Sequence, residues 1–208
     1  NMSVLPPREK SEKYLARHTD ETLSRAIWLV GFGYIFYYVN LRGLTGSAPD
    51  VTTEWLCYAI QLPALGALSR SERSAALLKP LAWLLLAYHA ALRALGLLGI
   101  EIPAEYLYLP GCIAAVLALY FHFQLLTNVA AVAADYDKSR AGQILNVRSV
   151  SLVLNSLLSV TQLIGPEVLP GAVETATAIA SCLFMVVLGI LVYGIAYAMR
   201  GGTGPGIY

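Results

Sequence analysis

Apolar residues fill this chain in six long stretches, each closed off by a short cluster of charge, proline or glycine. Read as helices, they cover about 24–42, 51–69, 80–100, 106–133, 149–165 and 171–199. Start and stop signals agree with that division. Thr19-Asp20-Glu21 places a capping residue and two acids ahead of the first run, where a helix N-terminus favours negative charge. Pro80 and Pro170 open later runs, and Gly165-Pro166 closes one. The fourth run is long: about 28 residues at 1.5 Å each exceed a 30 Å hydrocarbon core, so it tilts or protrudes. Ahead of the first run, residues 1–19 are polar and basic, and Pro7 suits a first helical position. They predict either a short helix lying on the membrane surface, drawn by anionic lipid, or a frayed cytoplasmic tail. Residues 201–208 are a Gly-rich tail. The expected fold is all-α: a polytopic integral membrane protein, one bundle of six transmembrane helices.

Composition sharpens this. The chain is 57% hydrophobic and 13% charged, against about 25% charged in soluble domains. Six crossings put both termini on one side, together with 12 of the 14 Lys and Arg residues. The excess of basic residues marks the cytoplasmic face, so both termini are expected there. The first residues lack the central apolar core of a signal peptide.

Several function classes drop out. Cys57, Cys112 and Cys182 stand far apart in apolar runs, with no CxxC and no zinc spacing; they read as small apolar side chains. Nucleophile-elbow, HExxH and P-loop patterns are absent, so no catalytic residue, metal or cofactor is expected. The basic segments are short, split and poor in aromatics, which fits lipid contact rather than nucleic acid.

Polar residues inside the apolar runs carry the candidate chemistry, because such groups are costly in lipid and need partners or water. Glu54, Tyr58 and Gln61 fall at i, i+4 and i+7 and share one helix face. Pro63 interrupts the same helix. His89 and Arg93 are four apart and stack on one face. His122 and Gln124 sit mid-run, and Gln124, Asn128 and Asp135 share a face toward the inner end. Ser151, Asn155, Ser159 and Gln162 form a stripe on the fifth helix. If these faces converge, Glu54, Tyr58, Gln61, His89, Arg93, His122, Gln124 and Asn155 line a polar pocket, with a Glu54–Arg93 pair balancing charge. Transporters place substrate sites at such depths, often at broken helices. The competing reading is interhelical glue worth roughly 1 kcal/mol per hydrogen bond. The function expected is binding or translocation of a small molecule, lipid or ion; the alternative is a structural or regulatory subunit whose polar faces meet a partner. Expected partners are membrane lipids, a small-molecule or lipid ligand, and further copies of the chain.

One resemblance adds to this reading. The run PheGlyTyrIlePheTyrTyrValAsnLeu from position 32, Pro49-Asp50, Tyr58, the Leu65-x-x-Leu68-Ser69 stretch and Lys79-Pro80 resemble a family of bacterial six-span membrane proteins with no assigned activity. The likeness covers mainly the first two runs. It implies six crossings of a bacterial cytoplasmic membrane and adds nothing on function.

Overall fold

The computed structural model describes residues 7–38, 54–100, 102–164 and 171–200. For 7–20, 38, 104, 155, 158–164, 171–175, 177–178 and 181–182 it describes the backbone alone. Every described element is helical: α1 Pro7–Tyr38, α2 Glu54–Ser71, α3 Leu78–Leu97, α4 Ala104–Ala133, α5 Lys138–Ile164 and α6 Gly171–Met199. A 3-10 turn, Arg73–Leu77, joins α2 to α3. Each helix packs against its neighbour in sequence, and α6 returns against α1 to close a ring.

Local chemistry explains the joints. Glu72 caps the 3-10 turn, its carboxylate accepting from the Ser74 backbone N–H at 3.3 Å and the Ser74 hydroxyl at 3.0 Å. Gly99 follows α3 at φ 68, a left-handed position that glycine takes at no steric cost. Asp137 starts α5 by accepting from the Arg140 backbone N–H at 3.0 Å, as an N-cap does. Two glycines let α1 approach both flanks. A Cβ on Gly31 would lie 2.7 Å from Val192 of α6, and one on Gly33 would lie 2.8 Å from Gln61 of α2. Small residues at helix crossings are how apolar helices come close.

The all-α expectation holds, with two boundaries corrected. The surface helix expected over 1–19 is not separate: α1 runs unbroken from Pro7 to Tyr38. The expected loop at 135–148 is mostly helix, because α5 begins at Lys138 rather than near 149. Ala141 and Ile144 are buried and Val147 packs against the core, an i, i+3, i+6 stripe that an amphipathic first segment uses and a search for lipid-length apolar runs passes over.

Two described stretches are long and apolar enough to cross a membrane, Arg73–Leu97 (25 residues) and Glu105–Ala133 (29 residues). Leu183–Met199 is a shorter apolar helix. The distribution of side chains is as informative as length. Ser24, Gln61, His122, Asn128 and Ser151 are buried, whereas Trp83, Leu84, Tyr106, Leu109, Val116, Leu183 and Ile190 are each more than half exposed.

Candidate functional site

α4 places His122 inside the ring, 1% exposed, where α1 and α2 face it. Both imidazole nitrogens are engaged. Nδ1 lies 3.2 Å from the Tyr34 hydroxyl of α1, and Nε2 lies 3.4 Å from the Tyr58 hydroxyl of α2. Tyr37 covers the ring, with centroids 4.2 Å apart. A neutral imidazole has one N–H and one lone pair. One tyrosine therefore donates to the ring and the other accepts from it, and exchanging the tautomer reverses both bonds.

Glu54 and His89 form the second part. Glu54 Oε2 lies 2.9 Å from His89 Nδ1, joining the start of α2 to the middle of α3. The side chains are 28% and 15% exposed, so this pair is reached more easily than His122. The sequence expectation paired Glu54 with Arg93; the partner found for the carboxylate is His89. His89 and Arg93 stand one turn apart on one face of α3, so the height and rotation of α3 against α2 decide which of them the carboxylate meets, and at 2.9 Å it meets His89. Arg93, one turn along α3, is half-buried and also engaged in an interaction.

Tyr58 connects the two parts without a continuous hydrogen-bonded wire. Its hydroxyl meets His122, while its ring stacks on His89 at 5.6 Å and 23°. Phe121 meets the same tyrosine edge-on at 5.5 Å. The arrangement is thus an accessible carboxylate–imidazole pair, an aromatic partition, and a buried Tyr–His–Tyr chain. It can hold a proton at Glu54–His89 and shift one within the Tyr34–His122–Tyr58 chain.

The other predicted residues divide. Gln61 shares the buried face of α2 with Tyr58, as its spacing requires, and its Nε2 donates to the Val30 carbonyl at 3.4 Å. Its Oε1 is buried without a hydrogen bond. Gln124 does not join His122: it donates to Asn128 Oδ1 at 3.0 Å, one turn along α4. Asn155 lies on the backbone of α5, and its side chain is outside the described residues, as are those of Ser159 and Gln162. Among the described residues, no three His, Cys, Asp or Glu side chains gather as metal ligands would.

A second polar cluster was read only in part from the sequence, as the shared face of Gln124 and Asn128. Asn128 Oδ1 also lies 2.7 Å from Ser74 Oγ, whose one proton it shares with the Glu72 carboxylate, tying α4 to the 3-10 turn. On the next face of α4, the Arg148 guanidinium lies 4.2 Å above the Phe123 ring, and its Nη1 donates to Thr127 Oγ1 at 3.0 Å. Ser74 and Arg148 fell in stretches expected to be loops. The i, i+4 pairs Phe123/Thr127 and Gln124/Asn128 were visible, but their partners were not. Comparisons with family models, curated proteins and solved structures find no match for this chain.

Proposed function

We propose that this chain is a six-span protein of the bacterial cytoplasmic membrane, with both termini cytoplasmic, that binds or translocates a small molecule, lipid or ion at Glu54–His89. The observation that carries the reading is the 2.9 Å Glu54–His89 pair, partly exposed, backed by the buried Tyr58–His122–Tyr34 chain. Large apolar side chains on the outside and amides, hydroxyls and an imidazole on the inside suit a chain that meets acyl chains at its surface. Soluble monomers rarely expose so continuous an apolar area. Two helices of membrane length and apolarity, and the one-sided placement of Lys and Arg, support insertion and orientation.

A ligand for this site offers a cation or N–H to Glu54 and a flat or apolar face to Tyr88, whose ring meets His89 edge-on at 5.2 Å. The test is a thermal-shift screen of metabolites, lipids and metal ions against wild type and His89→Ala. Stabilisation of wild type that the variant loses supports the reading; a screen with no stabilising compound removes it.

A second reading has its own observation. Both nitrogens of His122 are engaged and the ring is 1% exposed, which fits a side chain that only joins helices. On that reading the chain is a structural or regulatory subunit. His122 variants then lose stability while His89→Ala changes nothing in assembly or ligand response.

A further inference from the structure

We propose a specific site for an anionic phospholipid in the groove between α1 and the end of α6, separate from Glu54–His89. It rests on the membrane reading above. The groove has a volume of about 230 Å³ and is lined by Trp28, Tyr193, Ala196, Tyr197 and Arg200. Arg200 is held in place from below. Its Nε donates to Ser24 Oγ at 3.0 Å, and Ser24, fully buried, donates to the Ala196 carbonyl at 2.8 Å. That leaves the terminal N–H groups of the guanidinium for a ligand, and no carboxylate among the described residues pairs with Arg200. A guanidinium fixed by one edge and lacking a counter-ion is suited to a phosphate.

The occupant follows from what lies along the same helix face. Leu183, Val186, Ile190, Tyr193, Tyr197 and Arg200 alternate at spacings of three and four, and all are exposed. The order is aliphatic, aromatic, cationic. That is the order a lipid presents from acyl chain through interface to phosphate. Ile190 is ten residues from Arg200, about 15 Å along the helix, which is half of a 30 Å hydrocarbon core. A free phosphate would use Arg200 alone and leave the aromatic wall unexplained. The stacked Tyr193–Tyr197 pair, 6.4 Å apart, and the exposed Trp28 give the glycerol region and upper chain a surface to lie on.

The experiment is native mass spectrometry of the full chain from detergent, titrated separately with phosphatidylglycerol, phosphatidylcholine and glycerol phosphate. Wild type should retain phosphatidylglycerol over phosphatidylcholine by about fivefold, the scale of one basic residue at a membrane surface. Arg200→Gln should abolish the preference, Arg200→Lys should restore part of it, and Arg25→Gln, outside the groove, should leave it intact. Thermal denaturation of each variant separates a lost site from a lost fold. Equal retention of the two lipids by wild type overturns the proposal, as does glycerol phosphate binding as tightly as the lipid. A dimer that excludes lipid and is broken by Ile190→Ala also overturns it, because a second copy then covers the face. Release of the chain from membranes by alkaline carbonate refutes insertion itself, a result distinct from any of these.

Discussion

Replacing Tyr58 by Phe removes one hydroxyl from the interior and keeps the ring that stacks on His89. The loss is the 3.4 Å contact to His122 Nε2. Interhelical hydrogen bonds within membranes average about 0.6 kcal/mol and reach about 1.7. This one is long but wholly buried, so a cost of about 1 kcal/mol is expected. Tyr34→Phe should cost at least as much, since the 3.2 Å contact to Nδ1 is lost and Tyr34 has further contacts. The pair of changes is more telling than either alone. In each single variant, the ring can keep its proton on the nitrogen that still faces a hydroxyl, leaving only a bare lone pair unmet. In the double variant the N–H has no partner wherever it sits. An unmet buried donor costs about 1–3 kcal/mol, so the double variant should exceed the sum of the singles by about 1 kcal/mol. Contacts of Tyr34 other than His122 cancel in that cycle. Unfolding titrations in mixed micelles give the four free energies. Additivity within about 0.3 kcal/mol would falsify the shared-imidazole geometry, and so would a Tyr58→Phe variant as stable as wild type.

Four further outcomes are expected. Gly33→Ala places a methyl 2.8 Å from Gln61 Cγ and 3.2 Å from the Cys57 carbonyl oxygen, and should destabilise by about 1–3 kcal/mol in the same titration. Gly66→Ala, which meets nothing within 4 Å, should be neutral or stabilising by up to about 1 kcal/mol. Arg148→Lys should lower the thermal midpoint, because an ammonium cannot both cover Phe123 and reach Thr127 as the guanidinium does; an unchanged midpoint counts against that contact. Single cysteines in a Cys-free background at 73 and 137 should react with an impermeant maleimide only from the cytoplasmic side, and one at 99 only from the opposite side; any exchange of sides refutes the orientation.

Much of the helical plan was legible because long apolar runs and their caps are local signals, although only two described stretches are long and apolar enough to cross a membrane. The i, i+4, i+7 spacing of Glu54, Tyr58 and Gln61 also sufficed to predict a shared face, and Tyr58 and Gln61 are indeed buried on it. Partner choice was not legible. Glu54 had two candidates one turn apart on α3, His89 and Arg93, and only the rotation and height of α3 against α2 select His89. Tyr34, near mid-depth in the first run, needed a hydrogen-bond partner, but nothing local named His122 as that partner. Arg148 was hidden by its own charge: it reads as a loop residue until Phe123 and Thr127 are seen beneath it.

The three positions His122, Phe123 and Gln124 explain why these polar groups sit where they do. Successive residues on a helix point about 100° apart, so the three look toward three neighbours. His122 meets α1 and α2, Phe123 with Thr127 meets α5, and Gln124 with Asn128 meets the 3-10 turn. Apolar packing alone tolerates a helix turning about its axis, because one aliphatic side chain can replace another. Three directional contacts at three azimuths do not tolerate it: turning α4 by one position breaks all of them together. Buried polar groups that add little stability can fix orientation in this way. A conformational change that serves transport would then leave α4 seated against α1, α2 and α5, and would open the more exposed Glu54–His89 contact between α2 and α3 instead.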